Sequence, residues 1–239
     1  MPAGPRLLLL SNSRNPGKGF LEHAGDFIRD FLGDGVKNIA FVPFAGVTIT
    51  WDEYTTMVSG RYAELGYQVS SVHSAADPVA LVRDADAVAV GGGNTFHLLK
   101  TMAGLGLVDA IRERVLAGAP YMGWSAGSNV ASRTICTTND MPIVEPPSFD
   151  ALGLVPFQIN PHYTEATLPN HGGETRADRL GEYTTANPGV TVVGLREGTM
   201  LRVEGKEVAL LGEGDMKIFR HGDAPREVAA SDSLSFIME

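Results

Sequence analysis

Short apolar runs alternate with segments whose apolar residues recur at helical spacing, and this alternation organises roughly the first 130 residues. Leu7–Leu10, Ile39–Phe44, Tyr67–Val72, Ala85–Val90 and Tyr121–Gly123 have strand length, and each is followed by a turn rich in Gly, Pro, Asn or Ser. Their apolarity is continuous, as expected of strands covered on both faces in a parallel sheet. Between them, Phe20, Leu21, Ala24, Phe27, Ile28 and Phe31 fall at three- and four-residue intervals on one helical face. Tyr54, Val58, Tyr62 and Leu65 repeat that spacing, and Thr95–Met102 and Val108–Leu116 predict two further helices. The pattern predicts an α/β fold, a doubly wound and mostly parallel sheet flanked by helices. Near the C-terminus, Met200–Val203, Val208–Leu211 and Met216–Phe219 are separated by Glu204-Gly205-Lys206 and Gly212–Asp215, which predicts antiparallel hairpins appended to that sheet. With no internal repeat, low-complexity tract or long linker, one catalytic domain over residues 1–239 is expected.

Composition narrows the class. Hydrophobic residues at 44% and charged residues at 20% describe an ordinary globular chain. The net charge of −9 disfavours nucleic acid and anionic membrane as partners. Cys136 is the only cysteine, which excludes an internal disulfide and fits a reducing compartment. The run Arg6–Leu10 is too short for a signal-peptide core or a membrane span. A cytoplasmic enzyme is expected, with monomer and homodimer both left open.

Gly123-Trp124-Ser125-Ala126-Gly127 follows an apolar run and precedes a segment able to turn helical. A serine between two glycines at a strand-to-helix junction has the layout of a nucleophile elbow. The N–H of Ala126 would then point where an oxyanion forms. Val90-Gly91-Gly92-Gly93-Asn94 also ends a strand and opens a helix, and Gly93 is the expected source of a second oxyanion N–H. Gly-Gly-Gly-Asn-Thr matches neither a dinucleotide fingerprint nor a P-loop. Asn94 and Thr95, next in sequence, are expected substrate contacts. No H-E-x-x-H, cysteine cluster or helical His pair is present, so neither metal nor cofactor is expected.

A serine nucleophile needs a base. His23, His73 and His221 lie in contexts that suggest surface or packing roles, His97 sits about one turn into a helix, and His171 belongs to a loop. His162 follows Phe157–Pro161, which reads as a short strand ending in a rigid turn, and is the expected base. Glu197, just past the buried run Val190–Leu195 and expected at the same sheet edge, is the favoured orienting acid. Asp140 is its main rival, and Glu145 and Glu165 are lesser candidates.

The order Ser125, His162, Glu197 is similar to the Cys-His-Glu order of class I glutamine amidotransferases, with serine replacing cysteine. More specifically, the chain resembles the peptidase E family of α-aspartyl dipeptidases. The resemblance rests on Leu-Leu-Leu-Leu-Ser-Asn-Ser at 7–13, Phe-Ala-Gly-Val-Thr at 44–48 and Thr-Trp-Asp-Glu-Tyr at 50–54. It continues with Gly-Gly-Gly-Asn-Thr-Phe at 91–96, the elbow at 123–127 and Thr-Thr-Asn-Asp-Met-Pro-Ile at 137–143. Gln-Ile-Asn-Pro-His at 158–162, Gly-Glu-Thr-Arg at 173–176 and Glu197-Gly198 complete it. The resemblance implies an amidotransferase-like fold and hydrolysis of Asp-Xaa dipeptides, with Ser125 as nucleophile, His162 as base and Glu197 as acid. It also implies an oxyanion hole at Gly93 and Ala126, and recognition of the N-terminal aspartate by Arg176, on a loop expected to fold over the site. Ser128 and Arg133 depart from the family pattern, and Arg133 is positioned in sequence to alter the second substrate position. A serine exopeptidase of β-aspartyl linkages, as cyanophycinase is, and a non-catalytic binding protein are the alternatives.

Overall fold

Four consecutive leucines show how the sheet is built. Alternate side chains of a strand point to opposite faces, and Leu7 and Leu9 enter one apolar cluster while Leu8 and Leu10 enter another. The computed structural model describes residues 4–167 and 172–239, so His171 lies outside the described residues. In chain order the elements are β1 (Arg6–Leu10), α1 (Gly25–Leu32), β2 (Asn38–Val42), α2 (Trp51–Glu64), β3 (Gln68–Ser71) and α3 (Pro78–Asp84). Next come β4 (Ala87–Val90), α4 (Thr95–Gly104), α5 (Leu107–Leu116), β5 (Tyr121–Trp124) and the single turn α6 (Ala126–Asn129). The chain continues through β6 (Gln158–Tyr163), α7 (Arg176–Ala186), β7 (Val192–Arg196), β8 (Thr199–Glu204), β9 (Glu207–Gly212), β10 (Met216–Phe219) and β11 (Arg226–Val228).

The larger sheet has the order β3-β2-β4-β5-β1-β8-β9. Its first five strands are parallel, and the β8–β9 hairpin adds antiparallel to β1. Helices α1 and α2 pack on one face with Leu8 and Leu10, and α3, α4 and α5 pack on the other with Leu7 and Leu9. The continuous apolarity of the strands therefore has its cause in two covered faces.

A smaller sheet, β11-β10-β7-β6, was not anticipated as a separate unit. Met216–Phe219 pairs with β7 in this sheet and does not extend the β8–β9 hairpin. One apolar cluster runs from Val42 and Val90 of the larger sheet to Ile159, Val193 and Ile218 of the smaller one, so burial joins the two.

Two helical expectations also change. Phe20 and Leu21 fall outside α1 because Leu21 is left-handed (φ 51°), and a short 3₁₀ turn precedes the helix. Helix α3 carries too few residues for a legible period, and its start is set by the Asp77 side chain accepting from the Ala80 N–H, with Pro78 opening the helix. No described helix is long and apolar enough to cross a membrane.

Candidate active site

Register places Val90 beside Gly123 and Leu10 beside Trp124, so the carboxyl ends of β4, β5 and β1 lie side by side. Ser125 follows β5 directly, at φ 54° and ψ −113°. Such a conformation persists only where the surroundings hold it. The Ser125 N–H donates to the Leu10 carbonyl at 3.1 Å, and its own carbonyl accepts from the N–H groups of Ser128 and Asn129. A Cβ on Gly127 would strike the Val90 carbonyl, so glycine lets the turn after the serine press against β4.

The second strand end is equally constrained. Gly93 has φ 140°, and a Cβ there would run into the Ala45 carbonyl. Behind it, the buried Tyr54 hydroxyl donates to the Gly92 carbonyl at 3.1 Å and accepts from Trp124 Nε1 at 2.8 Å. Burial pushes the Tyr54 phenol up to about 12, against the opposing pull of those two hydrogen bonds. Among the described residues, the N–H groups of Gly93 and Ala126 have no hydrogen-bond acceptor.

His162 lies within β6 and not after it. The strand continues to Tyr163, with a register irregularity between Pro161 and Tyr163, and His162 takes φ 54° there. A bulge of this kind re-aims a side chain. His162 Nε2 lies 2.9 Å from Ser125 Oγ, and Nδ1 lies 2.7 Å from Glu197 Oε1. With Nδ1–H donated to the carboxylate, Nε2 is free to accept from the serine hydroxyl. Glu197 leaves the end of β7, so it belongs to the smaller sheet and not to the edge that carries the elbow.

Ser11 and Asn12, at the end of β1, tie the sheets together at this point. Ser11 Oγ accepts from the His162 N–H at 2.8 Å and donates to the Leu195 carbonyl at 2.7 Å. Asn12 Oδ1 accepts from the Gly198 N–H at 2.8 Å, immediately after Glu197. Neither residue was singled out from sequence, although a polar Ser-Asn-Ser run at the carboxyl end of a parallel strand is where ligand sites form.

Ser125, Ala126, Gly93, His162, Thr95, Asp140 and Arg176 line one cavity of about 490 Å³. Arg176 does not sit on a covering loop; it opens α7, whose first turn is capped by Thr175 and Asp178. Half-buried, it reaches Asn160 Oδ1 at 3.4 Å, and among the described residues no carboxylate lies within ion-pair distance. Burial first, then the neighbouring Arg179 charge, holds its pKa below the ordinary guanidinium value.

Asp140 is directed elsewhere than His162. Its carboxylate accepts from the Thr95 N–H at 2.7 Å, at the start of α4, and from the Thr138 hydroxyl at 3.1 Å. The polar groups of Thr95 are thus taken up inside the protein, and Asn94 caps α4 by accepting from the His97 N–H at 3.0 Å. His97 turns away, with Nδ1 2.6 Å from the Phe44 carbonyl oxygen. Arg133 lines a different hollow with Arg112 and Tyr183 and not the cavity that holds Ser125. Ser128 is buried and donates to the Leu10 and Gly123 carbonyls, a bracing role within the elbow.

The model of peptidase family S51 matches residues 7–211 of this chain. A peptidase E of Nostoc sp. is 50% identical over 234 residues, spanning 98% of this chain and 97% of that protein. A peptidase E of Streptomyces coelicolor is 52% identical over 234 residues, spanning 98% and 95%. Among solved structures, a peptidase from an acI-B1 Actinobacterium superposes with a TM-score of 0.73 over 98% of each chain, at 19% identity, a likeness of fold.

Proposed function

Because the chain belongs to peptidase family S51, we propose that this peptidase hydrolyses Asp-Xaa dipeptides through an acyl-enzyme on Ser125. The observation that carries the reading is one cavity lined by the hydrogen-bonded pair Ser125 and His162, with Glu197 bonded to the other ring nitrogen of His162, together with a half-buried arginine that lacks an acid partner among the described residues.

Ser125 Oγ attacks the aspartyl carbonyl carbon as its proton passes to His162 Nε2. Glu197 accepts the Nδ1–H and stabilises the imidazolium. The N–H groups of Gly93 and Ala126 receive the oxyanion. The C–N bond breaks as Nε2 returns the proton to the leaving amine, leaving an aspartyl ester on Ser125. Water then attacks that ester, giving its proton to Nε2, and the Ser125 hydroxyl leaves reprotonated.

Arg176 supplies selectivity. A guanidinium matches a carboxylate with two parallel hydrogen bonds and stays charged throughout the accessible pH range. Asparagine has nearly the same shape and leaves that charge unpaired. Glutamate carries the charge one methylene too far, which misplaces its scissile carbonyl.

The test is a panel of Asp-Leu, Asn-Leu, Glu-Leu and β-Asp-Arg with the parent and Arg176→Met. The parent should strongly prefer Asp-Leu. The variant should lose about 2 kcal/mol or more of transition-state stabilisation on Asp-Leu and narrow the gap to Asn-Leu. An unchanged Asp-over-Asn preference removes Arg176 as selector, and preferential cleavage of β-Asp-Arg would move the enzyme to the β-aspartyl linkage.

A further inference from the structure

A second cavity, of about 510 Å³, adjoins the first and shares Ser13, Tyr54, Gly92 and Gly93 with it. The common wall is therefore the glycine strand end beside Ser125. Of these two cavities Arg176 and His162 line the first and not the second, and the second differs from it in chemistry. Phe20, Ile49, Met57, Val47 and Ile143 make its walls apolar, and Arg14 supplies its one cationic side chain.

Two features of this hollow are open to solvent and can be covered by a ligand, an apolar wall and the exposed Arg14. Val47 and Ile143 are each about half exposed (51%), apolar area that an apolar ligand group would cover. The Arg14 guanidinium meets the Phe20 ring at 5.8 Å and Met57 Sδ at 3.4 Å, and among the described residues it has no carboxylate within ion-pair distance. An apolar wall next to an unpaired guanidinium is complementary to an amino acid's side chain and its free carboxylate.

We infer that the second cavity receives the leaving residue of the dipeptide, an apolar side chain against Ile49, Met57 and Ile143 and a C-terminal carboxylate on Arg14. The inference rests on the acylation of Ser125 proposed above and names the other half of its substrate. An acyl group anchored at Arg176 in one cavity, with its carbonyl between Ser125 and the Gly93 N–H, directs the leaving amine along the shared wall. A peptide one residue longer presents an amide where Arg14 expects a carboxylate, so this contact limits the substrate to dipeptides.

The test compares kcat/KM for Asp-Leu and Asp-Leu amide in the parent, Arg14→Met and Arg14→Lys. The parent should favour the free carboxylate by about tenfold or more. Arg14→Met should lose most of that contrast, chiefly through KM, and Arg14→Lys should restore part of it. Turnover of the amide by Arg14→Met reports that the Ser125 cavity is intact. No contrast in the parent, an undiminished contrast in Arg14→Met, or an equal loss on both substrates overturns the assignment. Aspartate selectivity is read separately, from Asp-Leu against Asn-Leu, so its absence would count against the Arg176 reading and leave the Arg14 contrast measurable.

Discussion

The Ser11 hydroxyl has one proton to give and lone pairs to offer, and both are used: it donates to Leu195 and accepts from His162, joining β7, which runs into Glu197, to β6, which carries His162. Ser11→Ala would leave the His162 N–H without its partner at a residue already at positive φ, a cost of about 1–3 kcal/mol. Urea denaturation should show that loss, and steady-state kinetics should show kcat falling more than KM. Two other single changes separate chemistry from support. Ser125→Ala should keep the fold and lose on the order of 10³-fold or more in turnover of Asp-Leu. Glu197→Gln should lower kcat on the order of 10²-fold or more with little change in KM, since an amide fixes the imidazole tautomer poorly. Chelators should leave the parent's turnover untouched in the same assay; inhibition by a chelator would remove the serine mechanism.

Along the elements, the elbow and the glycine strand end were legible in the sequence because local steric rules demand glycine at such turns. The β6 bulge was not. Gln158–Tyr163 contains a proline that reads as a stop, and only pairing with β7 lets the strand run past it. Helix α7 was obscured for a related reason: only Leu180 and Thr184 of its residues are buried, too few to mark a face. At the carboxyl end of β7, next to Glu197, Arg196 bridges Glu165 and Glu227, with Lys217 contacting the same two carboxylates. Burial disfavours the Glu165 carboxylate, yet the hydrogen bonds from Arg196 and Lys217 prevail and hold it at about 2. Glu227 is also lowered, first by its hydrogen bond to Arg196. A carboxyl depressed in the folded state stabilises it above the ordinary value near 4.5 and gives that up as pH falls towards 2. Stability should therefore decline across that window, and Arg196→Gln should flatten the decline in thermal melts taken between pH 5 and 2. The effect is modest, because these pairs face solvent. A slope in Arg196→Gln as steep as the parent's would assign the acid sensitivity to other groups.

At the scale of the molecule, sequence periodicity located nearly every strand of the larger sheet but could not say that β6, β7, β10 and β11 form another. Strand partners are chosen by contacts distant in sequence, and nothing local to Met216–Phe219 distinguishes extension of a hairpin from pairing with β7. Glu197 was singled out from sequence, but on the wrong sheet edge: its hydrogen bond to His162 comes from where a second sheet is docked. That docking has a further meaning. The proposed nucleophile Ser125 follows a strand of one sheet, while His162 and Glu197, the proposed base and acid, arrive together on the other, so neither half contains the whole hydrogen-bonded relay. Turnover is in effect an assembly gauge. On refolding, far-UV ellipticity should recover before hydrolysis does, and the lag between the two signals times the closing of one sheet onto the other.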